Sequence, residues 1–374
     1  MTIYVDVSAA AHSRAGLGRY AGTLAQALDQ RYPGRIALFY NRGGDAQAPP
    51  GLAHLPQRTV RARYKPWRMA VWLGQLAGLS FRRLVPDATL YHATEHLLMP
   101  LPGCPTVLTV HDLIFKLFPQ HHKRLNYWYL NAAMPLFVRR AGAIITISEA
   151  TKRDVIRHYR VPADKIHVIY EAAAPGFAPA TPEAVSRARA RYGLPERYLL
   201  SVGTIEPRKN LPRVLQALEQ VRARGVEVGW VIVGSKGWLY EGFLAQLEGS
   251  PARAAVRLPG YVPDADLPAV YGGAEALVMA SVYEGFGLPI LEAMACGTPV
   301  VSSNASSLPE LGGDAARYFD PCRADELAEA IAAVAQDRAL RDEMSHRGLA
   351  QAARFSWATA AEQTMALYAS LLAS

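Results

Sequence analysis

Glu284 and Glu292 stand with seven residues between them, bracketing Gly285-Phe286-Gly287-Leu288-Pro289-Ile290-Leu291. The apolar run Ala276-Leu277-Val278-Met279 just before them predicts a buried strand. Leu288 to Ala295 predicts a helix with Pro289 in its first turn, where a missing N–H costs nothing. Strand, glycine-bearing loop and helix, in that order, put Glu284 in the loop and Glu292 about one turn inside the helix. A free helix N-terminus offers N–H groups and the positive end of its dipole to an anion. Two acids beside such a place suit a ligand with both phosphates and hydroxyls, as a sugar nucleotide has.

A second strand-to-helix turn carries the opposite charge: Ser201-Val202-Gly203-Thr204-Ile205-Glu206-Pro207-Arg208-Lys209-Asn210. Its adjacent cations, Arg208 and Lys209, can hold a diphosphate leaving group. Negative charge grows on the bridging oxygen as a sugar departs, and fixed cations lower that barrier without a metal. Cations at a helix start are unfavourable unless an anion is present, which argues against a merely solvated pair. Ala15-Gly16-Leu17-Gly18-Arg19-Tyr20 follows an N-terminal strand and reads as a glycine turn permitting close backbone approach. An ordinary strand-to-helix turn would look the same. His111, with Asp112 beside it, follows another strand and so sits at a C-terminal strand end; the plainer reading is a loop histidine bonded by Asp112. His92 is a similar candidate for an acceptor side. Ser148-Glu149 reads as a helix cap with a first-turn acid, and Ser302, Asn304, Ser307 and Glu310 are equally compatible with structural roles.

The elements that must position these groups alternate regularly. Strands are expected near Ile3–Val7, Ile36–Tyr40, Leu90–His92, Val107–Val110, Ile144–Ile147 and His167–Ile169, with helices near Arg19–Gln30, Leu125–Arg139 and Glu149–Tyr159. The small-residue and proline-rich stretch Ala172 to Pro182 reads as a linker. The pattern then restarts. Strands are expected near Tyr198–Val202, Trp230–Val233, Val256–Leu258, Ala276–Met279 and Val300–Ser302, and helices near Asn210–Arg224, Leu288–Ala295, Asp325–Gln336 and Ala339–Ala353. Alternating strands and helices imply parallel sheets covered on both faces. At 374 residues two domains are expected, each an α/β doubly wound, Rossmann-like layer structure. Ligands of such folds bind beyond the C-terminal strand ends, so the cleft between two such domains is the expected active site.

The run from Glu284 to Glu292, continuing through Ala293-Met294-Ala295-Cys296-Gly297-Thr298-Pro299-Val300-Val301, resembles the signature of retaining glycosyltransferases of family 4. The resemblance implies the GT-B fold: an acceptor-side domain over residues 1–178, a nucleotide-sugar domain over 179–355, and a helix over 356–374 that crosses back to the first. It implies that Glu284 contacts donor-sugar hydroxyls near the anomeric carbon and Glu292 the ribose, with backbone N–H groups of Gly285, Phe286, Gly287 and Leu288 sharing the phosphates. Many members carry an arginine directly after the glycine and a lysine five positions later. Lys209 matches the lysine, the arginine position is Thr204, and Arg208 is expected to supply the missing charge, as in a Pro-Arg-Lys-Asn subgroup that this chain resembles. The family has a similar N-terminal glycine loop, so Gly16 and Gly18 are expected at the diphosphate, and it places a histidine like His111 near the donor sugar. In the fold, Gly234, Ser235 and Lys236 after one strand, and Tyr261 and Val262 after the next, form the edge that receives the nucleotide base. The block Thr204-Ile205-Glu206-Pro207-Arg208-Lys209-Asn210 resembles mannosyltransferases of surface-polysaccharide pathways. That implies metal-independent, configuration-retaining hexose transfer, from GDP-mannose in preference to UDP-glucose or another UDP-hexose, to a glycan or lipid-linked hydroxyl. No cofactor is expected. No residue stands out as a covalent nucleophile, so front-face displacement is preferred.

Composition limits the alternatives. Cys104, Cys296 and Cys322 are scattered, which fits reduced thiols and neither a disulfide framework nor a zinc cluster. His121-His122 is an adjacent pair without helical ligand spacing, and no metal is expected there. The N-terminus enters a strand directly, without a signal peptide, and no apolar run is long enough to span a bilayer. A cytoplasmic protein is expected, peripheral on the inner face of the membrane if it binds there. The net charge of +8 hides an asymmetry: residues 1–180 hold 22 Lys and Arg against 10 Asp and Glu, a balance of +12, leaving −4 for the rest. Within the basic half, Arg58 to Arg83 joins seven cations to Trp67 and Trp72, which suits an anionic membrane surface. A solvated helix and loop with one buried face is the alternative, and His121-His122-Lys123-Arg124 would extend the patch. A binding module without catalysis, for nucleic acid or membrane, is the competing class; no recognised nucleic-acid motif is present, so no nucleic-acid partner is expected. A phosphorylase would need a lysine-bound pyridoxal phosphate, for which no motif is visible. A sugar-nucleotide epimerase lacks a long acceptor site, and release of free nucleoside diphosphate only when an acceptor is added would favour transfer over epimerisation.

Overall fold

The structure, a computed structural model, describes residues 2–12, 15–44, 46–121 and 124–373. It divides into two compact units, Met1–Glu171 with Ser356–Ser374, and Ala172–Phe355.

The first unit is built on a parallel sheet of seven strands: β1 (Thr2–Asp6), β2 (Ile36–Asn41), β3 (Gln57–Val60), β4 (Ala88–Ala93), β5 (Thr106–Val110), β6 (Ala143–Thr146) and β7 (Ile166–Val168), in the order 3-2-1-4-5-6-7. Its central strands are almost wholly buried, as expected when helices cover both faces. Those helices are α1 (Ser8–Ala11), α2 (Ala15–Arg31), α3 (Tyr64–Leu76), α4 (Ile114–Leu117), α5 (Arg124–Arg140) and α6 (Glu149–Tyr159). Phe39, Trp67, Tyr91, Phe115 and Phe137 fill its core. Ser148 caps α6, its hydroxyl accepting from the Thr151 N–H at 3.1 Å.

The second unit repeats the plan with six parallel strands: β8 (Tyr198–Val202), β9 (Gly229–Val233), β10 (Val256–Gly260), β11 (Ala276–Met279), β12 (Val300–Ser303) and β13 (Ala316–Phe319), in the order 10-9-8-11-12-13. Its helices are α7 (Pro182–Tyr192), α8 (Leu211–Ala223), α9 (Glu241–Glu248), α10 (Leu267–Gly272), α11 (Leu288–Ala295), α12 (Leu308–Gly312), α13 (Ala324–Gln336) and α14 (Arg338–Ala352). Trp230 is fully buried, and its indole N–H donates to Ser201 Oγ at 3.1 Å, so the core's largest side chain keeps its polar atom satisfied. The last helix, α15 (Trp357–Ala373), belongs to the first unit, where it packs on α2.

Strand order reverses between β1 and β4 in one sheet and between β8 and β11 in the other. Such switch points splay the following loops apart and leave a crevice at the carboxyl ends of the strands.

Several elements escape the periodicity reading. β3 is an edge strand of exposed polar residues and lacks an apolar run. β13 also lies at an edge. α3 begins without a side-chain cap. α7 starts at the end of the stretch read as linker: Thr181 caps it, and Pro182 occupies its first turn, where its ring is preorganised for the helix.

Candidate functional site

The switch point of the second sheet assembles the charged groups. After β8 the chain turns at Gly203, whose φ is +136°, and Lys209 folds back so that its Nζ would lie 3.2 Å from a Cβ at that glycine. Gly234, after β9, has φ +142°, and a Cβ there would meet Gly203 O at 2.1 Å. The two glycines therefore let neighbouring loops touch backbone to backbone. The Ile205 N–H donates to Ser235 O at 3.0 Å and ties the loops together. A single 3-10 turn, Pro207–Lys209, ends at Asn210 in the left-handed region, and Asn210 Nδ2 donates to Pro321 O at 2.9 Å.

After β11 the chain passes through Ser281 to Glu284, whose carboxylate is 8% exposed. Glu284 Oε1 accepts from Lys209 Nζ at 2.7 Å and from Ser281 Oγ at 2.6 Å, while Oε2 pairs with Arg208 Nη1. The other arm of Arg208 pairs with buried Glu206, and Nη1 also reaches Tyr283 O at 2.9 Å. Two buried acids and two half-buried bases thus alternate in one chain, Glu206, Arg208, Glu284, Lys209. Burial pushes the Glu284 pKa upward, but the Arg208 and Lys209 charges outweigh it and bring it down to about 2. The loop is pinned from below: the Ser306 hydroxyl donates to Glu284 O, and the single Ser307 hydroxyl proton is shared between Glu284 O and Phe286 O. Gly287, with φ +118°, opens α11, and a Cβ there would run into Leu308.

Glu292 lies inside α11 at 2% exposure, and its carboxylate accepts from the hydroxyl of fully buried Tyr271 at 2.8 Å. The hollow beside Lys209, lined by Gly203, Thr204 and Ser281, holds about 10 Å³, the volume of a single water at most. A larger hollow of about 280 Å³ opens near the other ends of β11 and β12, beside Glu275 and Arg341, and contains none of the groups discussed here.

In the first unit His111 follows β5 and is 5% exposed. Its Nε2–H donates to Thr94 O at 2.8 Å, and its Nδ1 faces Glu171 Oε1 at 3.6 Å. Burial lowers its pKa; the Glu171 carboxylate and the Thr94 carbonyl more than offset this, and the net shift is upward.

The chain matches the family described as "Glycosyltransferase Family 4" over residues 14–173 and the one described as "Glycosyl transferases group 1" over residues 185–351. The O-antigen chain mannosyltransferase B of Escherichia coli is 36% identical over 264 residues, which is 70% of this chain and 69% of the relative. The chain belongs to glycosyltransferase family 4. This glycosyltransferase is a hexosyltransferase. The serotype-specific mannosyltransferase WbdA of Escherichia coli is 31% identical over 277 residues, 72% of this chain but only 34% of WbdA, so the chain spans about a third of that protein. Among solved structures, Anabaena HepE in complex with UDP and glucose superposes with a TM-score of 0.75 at 22% identity, covering 99% of both chains. Sucrose-phosphate synthase from Thermosynechococcus elongatus gives 0.77 at 21% identity, covering 100% of this chain and 99% of that one. The two doubly wound units are those of the GT-B fold.

Of the residues singled out in this glycosyltransferase, Glu284, Arg208 and Lys209 are brought into direct contact. Gly285, Phe286, Gly287 and Leu288 complete the loop above them. Gly234 and Ser235 adjoin through the tied loops, and Lys236 beyond them is exposed with its ammonium 5.5 Å from the Tyr240 ring. β10 runs on to Gly260, leaving Tyr261 exposed and Val262 buried.

Two expectations need correction. The glycine turn at residues 15–20 is not a loop: α2 already starts at Ala15, so Gly16 and Gly18 lie in its first turn. Gly18 is buried there, and a Cβ would come within 2.8 Å of Ala9 O, so its smallness serves the contact with α1. His92 is fully buried, with Nδ1 2.6 Å from the Tyr368 hydroxyl and Nε2 2.8 Å from Thr109 Oγ1. Desolvation, aided by His111, lowers its pKa to about 3, so it is a neutral tie between α15 and the sheet instead of an acceptor contact. Asp112 Oδ1 accepts from the Ile114 N–H at 3.0 Å. Glu206, Ser281, Glu171 and Tyr271 were not singled out. Glu206, two positions before the arginine it holds, and Ser281, three before Glu284, carried a local signal; Glu171 and Tyr271 lie far along the chain from the groups they meet.

Proposed function

We propose that this glycosyltransferase transfers mannose from GDP-mannose to a hydroxyl of a glycan or lipid-linked acceptor, with retention of configuration and without a metal. The single observation behind the site assignment is the buried Arg208–Glu284–Lys209 contact at the switch point of the second sheet. In this reading the donor diphosphate takes over the charges of Arg208 and Lys209. Glu284, released from them, turns to the hydroxyls of the sugar near its anomeric carbon. The bond from that carbon to the diphosphate oxygen breaks, the bond to the acceptor oxygen forms on the same face, and the acceptor's proton passes to the departing phosphate. Arg208 and Lys209 stabilise the charge that grows on the diphosphate. Glu206 keeps Arg208 extended toward it. Glu292 holds the ribose, with Tyr271 fixing its carboxylate, and the family resemblance assigns His111 to the donor sugar.

Mannose is favoured because the E. coli relatives are named mannosyltransferases. A UDP-hexose donor is the second reading, favoured by the UDP and glucose bound in the HepE structure. Action at the cytoplasmic side of a membrane goes with a lipid-linked acceptor, and no helix among the described residues is long and apolar enough to cross a bilayer.

Calorimetric titration of GDP-mannose, GDP-glucose, UDP-glucose and UDP-galactose separates these readings. GDP-mannose is expected to bind tightest, and Lys209→Gln to weaken it by roughly tenfold or more, the worth of one charged hydrogen bond. Turnover is expected to survive excess EDTA. Tighter binding of UDP-glucose would replace the donor, and no binding of any sugar nucleotide would defeat the site assignment.

A further inference from the structure

We propose that α3 and α5 together form an interfacial docking face for an anionic lipid bilayer, inserted through leucine, methionine and tryptophan side chains. The proposal deepens the reading of a lipid-linked acceptor by naming the surface and the two helices that build it.

α3 is apolar on two sides. One stripe, Trp67, Val71 and Gly74, faces the core. A second, Met69, Leu73 and Leu76, recurs at i, i+4 and i+7 and faces solvent, and Leu79 continues it past the helix end. α5 lies alongside. Arg68 Nη1 donates to Asn126 Oδ1 at 2.8 Å, the Tyr129 hydroxyl donates to Arg68 O at 3.1 Å, and the Arg68 guanidinium stacks 3.9 Å from the Tyr129 ring centre. Leu125 and Trp128, three residues apart and so on one face of α5, each precede one of those contact residues. They are 86% and 68% exposed. Six of the nine large hydrophobic side chains exposed among the described residues therefore gather on these two helices and the turn after the first. Scattered exposed leucines need no explanation, but a cluster of this kind marks an interaction surface.

Charge selects the occupant. Residues 46–86 and 113–148, which contain the two helices, hold twelve Lys and Arg and not one Asp or Glu. Arg63, Lys65, Arg83 and Arg124 are exposed around the apolar ridge. A ridge of Leu and Met flanked by these exposed cations matches hydrocarbon beneath phosphate headgroups. A nucleic acid would leave those aliphatic chains without a partner, since bases stack on aromatic rings and guanidinium groups. His122 and Lys123, which would extend the same patch, lie outside the described residues.

The test is co-sedimentation of the full chain with phosphatidylcholine vesicles, with and without about a third phosphatidylglycerol, across a salt series. The expected result is binding that needs the anionic lipid. The pair Leu73→Glu with Leu76→Glu, and separately Trp128→Ala, should each lower partitioning by about tenfold or more, the worth of one lost large apolar side chain. Quenching by brominated lipid should fall in Trp128→Phe. These side chains are solvent-exposed, so urea unfolding should match the parent and exclude misfolding. Arg338→Glu on α14, in the other unit, should bind as the parent does. Failure of the parent to bind, binding indifferent to the three apolar substitutions, or a concentration-dependent dimer abolished by them in place of vesicle binding would each overturn the proposal. The readout uses neither donor nor acceptor, so its failure would leave the sugar-nucleotide titration standing, and failure of that titration would leave this one standing.

Discussion

Replacing Glu284 by Gln keeps its size and removes the charge that Arg208 and Lys209 surround. Two routes give the size of the effect. The carboxyl pKa falls from 4.5 to about 2 in the folded chain, and at 1.36 kcal/mol per unit that shift is worth about 3 kcal/mol at neutral pH. Removing one partner of a buried ion pair costs about 3–5 kcal/mol, because the remaining charges stay desolvated. The sign follows from the depressed pKa. Stability from Glu284 is fully present above the unfolded value of 4.5 and is lost as pH falls through about 2. Urea unfolding of the parent and Glu284→Gln at pH 7 should therefore show a gap of about 3 kcal/mol, shrinking to less than half of that near pH 3. The same variant should lose most of its turnover under the proposed mechanism. Equal midpoints at pH 7 would mean that the cations do not hold this carboxylate in solution. A gap unchanged at low pH would mean that its origin is not ionisation.

Asp6 runs the other way: burial first, then the nearby Glu95 charge, raises its pKa from 3.8 to about 6, so its contribution to stability is fully present below pH 3.8 and lost as pH rises through 6. Asp6→Asn should flatten the stability profile across that window, and a parent profile already flat there would contradict the assignment. Gly234→Ala should destabilise by more than the roughly 1 kcal/mol of an ordinary glycine replacement, because its Cβ would stand 2.1 Å from Gly203 O on a positive-φ backbone; thermal unfolding within a degree or two of the parent would refute the backbone contact.

The sequence by itself determined the two alternating α/β halves and the cation and glutamate turns. β8, β11, α6 and α11 lie where the apolar runs and caps put them, because buried parallel strands and capped helices are written locally. Edge strands β3 and β13 were not legible, since Gln57, Arg58 and Thr59 in one and Arg317 in the other leave no continuous apolar run. The pattern Glu284 to Glu292 was visible in the chain, but not that Glu284 would be closed between two cations while Glu292 would bond Tyr271 on another helix. Nor could it tell that His92 would be a neutral strut and His111 a partner of Glu171. Those outcomes depend on which groups the sheet order brings together from residues tens of positions away. Tertiary structure alone sets that proximity, and with it the burial that turns identical residue types into different chemistry.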